Sequence, residues 1–220
     1  MPIITVHATK GGQGVTTITA ALGILHSQGG HRTLLIDTGG DLPAILGKPD
    51  PLAAGLSDYL IDPNITLDDI TVNTAEYLDV VTRGTGPIAF STYTYGLITG
   101  GLGDYDTVII DAGTSAAEWN QHADRNVFVT RSCYLAVRRA IHLPQRATEV
   151  VFMAEPGRAL SAHDIEVVLG VPVGATVPVD IDTARIIDAG ILGSRTPRQM
   201  SRALAGLVNA ASSVSEAVAS

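Results

Sequence analysis

Short, uninterrupted apolar runs recur along the chain with room for a helix between them. Ile3 to His7 (IITVH), Thr33 to Ile36 (TLLI), Leu78 to Thr82, Thr107 to Ile110 (TVII), Asn126 to Thr130, Glu149 to Met153 and Ala175 to Val179 are rich in Val and Ile and show little period-two alternation. Runs of this kind predict strands buried on both faces. Val15 to Ser27 carries helix-compatible residues and stops before Gly29-Gly30, and further helices are expected over 89–102 and from about Tyr134, Ser161 and Thr183. Thr38 to Leu67 reads as irregular, with short helical pieces at LPAILG and GLSDYL. Strand and helix alternate to the end of the chain without a repeat, a low-complexity tract or a linker. The expectation is a single domain over 1–220 with an α/β fold: a three-layer, doubly wound, mostly parallel sheet with helices on both faces. Ligands of such sheets bind beyond the carboxyl ends of the strands, and Lys10, Asp37 and Asp111 fall there.

Composition narrows the classes. Of 220 residues, 45% are hydrophobic and 16% charged, which fits a buried core and excludes wholesale disorder. A net charge of −8 argues against a surface that binds polyanions everywhere, while leaving room for a local basic patch. The one cysteine, Cys133, excludes a disulfide framework, a CxxC pair and a cysteine-rich metal cluster within one chain; its thiol reads as a small buried apolar group. His7, at the end of the first strand, reads as a packed residue, as does Trp119, and the six histidines show no metal spacing. The apolar runs are too short to span a bilayer and the first residues do not form a signal peptide, so a soluble, cytoplasmic protein is expected. Lysine occurs only at Lys10 and Lys48, against twelve arginines. A chain that otherwise places its cations as Arg has put one of two compact ammonium groups in a glycine loop.

That loop, TKGGQGVTT, lies between the first strand and the first helix. Glycines let successive backbone N–H groups converge on an oxyanion, and the helix N-terminus adds its dipole. Against the pattern GxxxxGK[ST], Thr9 stands at the first Gly, Gly14 at the second, Val15 at the Lys and Thr16 at the hydroxyl, so the strict motif fails twice. What remains, Lys10-Gly11-Gly12-Gln13-Gly14-Val15-Thr16-Thr17, resembles the deviant Walker loop KGGxGKTT of the ParA/MinD family of P-loop ATPases. TLLIDTGGDLPAILG (Thr33 to Gly47) resembles the family's second strand and first switch, and YDTVIIDAGTS (Tyr105 to Ser115) its Walker B segment. VPVD at 177–180 and DAG at 188–190 also fit, and DLPAILG and GLSDYL lean towards the pilus-assembly, CpaE/TadZ-like branch.

The resemblance implies ATP and Mg2+ as cofactors. It implies a phosphate cradle from Lys10, Gly11, Gly12, Gln13, Gly14, Val15, Thr16 and Thr17, with Thr16, Asp37 and Asp111 at the metal. In the family the lysine corresponding to Lys10 reaches the partner's nucleotide across a homodimer. Three departures stand out. The loop lysine that neutralises the β- and γ-phosphates is Val15 here, and losing such a bond costs about 1.5–3 kcal/mol, roughly 10–150-fold in affinity. The second Asp of the first switch, which positions the attacking water, is Gly39; Asp41 either substitutes for it or serves as a turn carboxylate or N-cap ahead of Leu42-Pro43. Met153-Ala154-Glu155 stands where the family tends to place an adenine-reading Asn.

With positioning and charge neutralisation both reduced, unaided hydrolysis is expected to be slow or absent, with Lys10 and Asp41 as the remaining catalytic candidates. The reading is a nucleotide-linked dimerisation switch acting on an unidentified protein partner or cargo in positioning, partitioning or assembly. A slow but genuine ATPase and a nucleotide-free scaffold are the alternatives. Arg195, Arg198 and Arg202 fall on one face of a predicted helix, either a weak nonspecific DNA contact or a solvated face. The apolar repeat at Leu204, Leu207, Val208, Ala211 and Val218 reads as core or dimer packing, not as a membrane anchor.

Overall fold

The computed structural model describes residues 1–49, 54–89, 91–114, 117–143 and 147–218. Eight strands, β1 (Ile3–His7), β2 (Thr33–Asp37), β3 (Thr71–Ala75), β4 (Leu78–Val81), β5 (Thr107–Asp111), β6 (Arg125–Arg131), β7 (Glu149–Ala154) and β8 (Val173–Pro178), form one sheet in the order β3-β4-β2-β5-β1-β6-β7-β8. All neighbouring pairs are parallel except β3 with β4, which are antiparallel. The three-layer, mostly parallel sheet is therefore as expected, and β3 is an addition on its edge.

The continuous V/I/L character of the central strands has a direct structural counterpart. Leu34 and Ile36 pack on one face with Val108 and Ile110, while Leu35 packs on the other with Ile109 and Val80. Each strand thus covers two cores, which is why its pattern does not alternate. One face is covered by α1 (Val15–Gln28), α2 (Leu42–Ile45) and the start of α9 (Arg198–Val218). The other is covered by α3 (Leu56–Tyr59), α4 (Thr92–Gly100) and α5 (Ala117–Asn120) near β2 and β5, and by α6 (Tyr134–Ala140) and α7 (Ala162–Leu169) near β6 and β7. Gly23 lets α1 approach the sheet closely: a Cβ there would meet Leu35 Cδ2 at 2.6 Å. Leu204 and Leu207 are buried in the α1-side core and Val208 packs against it, so this part of α9 packs inward, whereas the side chains of Ala211 and Val218 lie outside the described residues. No helix among the described residues is long and apolar enough to cross a membrane.

Local details correct four expectations. The helix expected over 89–102 is the shorter α4, and α8 (Ile181–Asp188) begins two residues before Thr183 because Asp180 caps it through the Thr183 N–H at 2.7 Å. Arg195 lies outside α9, so only Arg198 and Arg202 are four apart on that helix, both exposed. Cys133 is half-buried at the N-cap position of α6 and not a core residue.

Candidate functional site

The crossover from β1 to α1 carries the glycine loop to the carboxyl end of the sheet. Gly12 and Gly14 adopt φ of 75° and 101°, a region a side chain enters only under strain, so these two glycines fix the loop's path. Gly14 is the N-cap of α1, and no side chain caps the helix; its first turn also carries no acidic residue. The first helical bond is Ile18 N–H to Gly14 O at 3.0 Å, so the N–H groups of Val15 to Thr17 have no intrahelical acceptor. Gln13 is buried and pins the loop from behind: its Oε1 accepts the Arg131 N–H at 3.0 Å. Thr9 ties the loop to α6 through Ala136 O at 2.7 Å.

A cavity of about 600 Å³ opens over this turn, lined by Lys10 to Thr17, by Thr38, Gly39 and Asp41 after β2, by Arg83 and Ile88 after β4, by Asp111 to Thr114 and by Arg131. Every residue expected at the site is brought together there except Asp37. Asp37 is fully buried, and its carboxylate organises the turn behind the cavity: Oδ1 accepts from the N–H groups of Gly39 at 2.9 Å and Gly40 at 2.7 Å, and Oδ2 from Leu42 N–H at 3.0 Å. Burial pushes the pKa of Asp37 above the usual carboxylate value, against the opposing pull of these three donors.

The same contacts decide the role of Asp41. It occupies the N-cap position of α2 but makes no side-chain cap bond: Pro43 at the second helical position has no N–H to give, and Leu42 N–H is bound by Asp37. The N-cap reading of Asp41 is thereby corrected, and its exposed side chain lines the cavity.

Asp111 ends β5 and is also fully buried. Its Oδ1 accepts from Gly113 N–H at 3.0 Å, whereas Oδ2 is buried with no hydrogen-bond partner. Burial raises its pKa to about 6, with Thr16 close enough to favour the charged form and Asp37 opposing it. By ordinary hydrogen-bond geometry Thr16 does not satisfy Oδ2, which has no partner among the described residues. An orphaned, buried carboxylate oxygen beside a loop hydroxyl suits a hard divalent cation, and the uncapped turn of α1 suits phosphate.

Val15 is buried and belongs to the α1-side core. The position where the family places a cation is thus spent on packing. Lys10 is exposed and lines the cavity. Two cations missed by the sequence reading stand here as well, Arg83 and Arg131; Arg131 ends β6 and Arg83 lies two residues beyond β4, and a cation at the carboxyl end of a buried strand is the signal that would have found them. Arg131 Nη1 pairs with Glu155 at 3.1 Å, and Glu155 also pairs with Arg158 at 3.4 Å. Glu155 belongs to the Met153-Ala154-Glu155 segment that stands where the family tends to place an adenine-reading Asn, and the triad borders a second cavity of about 550 Å³ with Tyr134 and Leu160, which shares Lys10 to Gln13 and Arg131 with the first. His7 is buried against Asn120 at 3.2 Å and near Phe128, and burial lowers its pKa to about 4. Trp119 is buried with an edge contact to Tyr95, as packing predicts.

The model of the CobQ/CobB/MinD/ParA nucleotide binding domain matches residues 4–211. No curated protein matches the chain by sequence. Among solved structures, the MinD cell division protein of Aquifex aeolicus aligns with a TM-score of 0.78 at 18% identity, covering 97% of both chains. The septum site-determining protein MinD of Pyrococcus horikoshii complexed with Mg-ADP aligns at 0.76 with 20% identity, over 97% of this chain and 96% of that one. A ParA family ATPase from Chlorobium tepidum aligns at 0.74 with 21% identity, over 96% and 97%. At these identities the shared property is the fold.

Proposed function

The chain belongs to the CobQ/CobB/MinD/ParA nucleotide binding domain family, and on that premise we propose that it is an ATP- and Mg2+-dependent dimerisation switch with a weakened phosphate site. The observation that carries the reading is the pairing of an uncapped α1 turn with the orphaned Oδ2 of Asp111 in one cavity. The backbone N–H groups of Gly11 to Thr17 bind the phosphates, Thr16 and Asp111 hold the metal, and Asp37 acts mainly by shaping the turn that carries Asp41. Magnesium, when bound, supplies the charge neutralisation that the loop lacks at Val15. The base lies in the second cavity, beside Tyr134 and the Arg131–Glu155 pair.

Two residues set the rate. Gly39 offers no carboxylate to position water, and Asp41 reaches the cavity from an exposed position, so hydrolysis by the isolated protein is slow. Lys10, unpaired among the described residues and at the rim of the cavity, is placed to serve a second copy of the chain. A switch of this kind acts in positioning or assembly of a protein cargo, and the MinC:MinD complex of Aquifex aeolicus is a fold relative that works with a partner. The DLPAILG and GLSDYL segments favour an assembly role. The burial of Val15 favours a second reading, a scaffold that binds no nucleotide.

Calorimetry with ATP, ADP and GTP, with and without magnesium, tests both. Magnesium-dependent ATP binding is expected in the micromolar to millimolar range; no heat at millimolar ATP establishes the scaffold instead.

A further inference from the structure

Arg83 follows β4 by two residues and lines the cavity opposite the glycine loop. Its Nε donates to Thr38 O at 3.0 Å, and its Nη1 donates to Gly84 O and Gly86 O, both at 3.2 Å. All three acceptors are neutral carbonyls. Among the described residues no carboxylate lies within ion-pair distance of this guanidinium, whereas the other cavity arginine, Arg131, is compensated by Glu155. Its Nη2 donates to no acceptor among the described residues. Arg83 is half-buried and bonded only to neutral carbonyls, so an anion reaching its free N–H groups would gain a charge-assisted contact.

Its location within the cavity identifies the anion. The Arg83 stem packs on the loop after β2, since a Cβ at Gly40 would lie 3.5 Å from Arg83 Cδ. That is the end lined by Thr38, Gly39 and Asp41, away from the second cavity that holds Tyr134 and Leu160. A nucleotide lying with its base in that second cavity presents its terminal phosphate to the Arg83 end. A guanidinium fork held by carbonyls, with two N–H donors to spare, matches phosphate oxygens.

We propose that Arg83 supplies, from the end of β4, the cationic contact to the terminal phosphate of a nucleoside triphosphate that Val15 no longer supplies from α1. The assignment rests on the nucleotide reading above. Because Arg83 also holds Thr38 O, its engagement with phosphate is linked to the conformation of the loop carrying Gly39 and Asp41.

The test measures dissociation constants for Mg-ATP and Mg-ADP by calorimetry on the wild type, Arg83→Gln, Arg83→Lys and the double variant Val15→Lys/Arg83→Gln. Arg83→Gln is expected to weaken ATP about tenfold or more and ADP less than about threefold, as loss of one charge-assisted contact at the terminal phosphate requires. Adding Val15→Lys is expected to restore ATP binding, because the lost quantity is charge near that phosphate. Arg83→Lys keeps the charge and is expected to retain the ATP preference; it also carries the test should the Gln variant lose its cooperative unfolding transition. Equal losses for ATP and ADP, no loss for either, or a folded Lys variant without ATP preference overturns the role of Arg83 while leaving the nucleotide site standing. No binding to the wild type overturns the nucleotide reading itself.

Discussion

Asp37 and Asp111 are register partners at the carboxyl ends of adjacent parallel strands, yet one carboxylate is saturated by backbone donors and the other has an oxygen with none. Both are fully buried, and burial disfavours the charge of each. The three N–H groups on Asp37 come from its own turn, so this carboxylate holds the DTGGDL segment in shape. Asp111 receives one backbone N–H, from Gly113, and its Oδ2 has no hydrogen-bond partner among the described residues.

The two aspartates should therefore separate in mutation. Asp37→Ala strips three backbone donors of their acceptor and is expected to destabilise the metal-free protein by about 2–3 kcal/mol in urea unfolding at pH 7. Asp111→Asn keeps an oxygen for Gly113 and removes a charge that burial penalises. It is expected to be at least as stable as the wild type while losing the magnesium dependence of ATP binding. A destabilised Asp111→Asn that still binds ATP in a magnesium-dependent way would reverse the assignment.

Val15→Lys is expected to tighten ATP binding by about one decade. Restoring a charge-assisted contact is worth about 1.5–3 kcal/mol, or one to two decades, and the lower end applies because Arg83 already brings a cation to the cavity. The gain carries a cost, since Val15 is part of the α1-side core and its replacement exposes that packing. Calorimetry and thermal unfolding on the same samples separate the two effects. An unchanged affinity would show that position 15 no longer faces the phosphates.

Most of the fold was legible because β1, β2, β5, β6 and β7 are buried on both faces and read as unbroken apolar runs. β3 escaped because TVNTA is a half-exposed, antiparallel edge strand whose polar residues carry no such run. In the candidate site, the loop and both aspartates were legible from their places at strand ends, but their division of labour was not. It depends on where the N–H groups of Gly39, Gly40 and Leu42 point, which follows from the turn and not from composition. Arg83 and Arg131 were overlooked because they match no motif, although Arg131 ends a buried strand just as Asp37 and Asp111 do and Arg83 lies two residues beyond one.

Stability should fall with acid before most carboxylates titrate. His26, in α1, is buried with neither ring nitrogen hydrogen-bonded among the described residues, and burial lowers its pKa to about 4, helped by the nearby charges of His31 and Arg125. The unfolded chain binds this proton near pH 6.5 and the folded chain only near 4. His26 therefore contributes no penalty above pH 6.5, and stability is lost progressively as pH falls from 6.5 to 4. At pH 5 the loss is about 2 kcal/mol relative to pH 7, and His7, lowered to about 4 by burial alone, adds a similar amount. His26→Leu is expected to remove about half of that loss without lowering stability at pH 7. Urea unfolding at the two pH values checks it; an unchanged acid sensitivity would place the proton uptake elsewhere.

Self-association should depend on Lys10 only when nucleotide is present. Arg83 offers one cation where Val15 offers none, so a bound triphosphate still carries more negative charge than its own chain neutralises in a partly dry cavity. Lys10 is exposed at the rim, where a second copy docking face to face would bring each ammonium onto the other's phosphates. Nucleotide binding and dimerisation are then linked, each strengthening the other. With the proposed roles, Arg83 within one chain and Lys10 between two, their variants should differ: Arg83→Gln is expected to lower ATP affinity at any protein concentration, and Lys10→Ala only where the wild type dimerises. Because Lys10 sits in an exposed loop, Lys10→Ala should leave the stability of the nucleotide-free protein within about 0.5 kcal/mol of wild type. Sedimentation of wild type and Lys10→Ala, with and without Mg-ATP, is expected to show a dimer only in the wild type with nucleotide. Identical association in all four samples would assign Lys10 to its own chain's phosphates or to solvent.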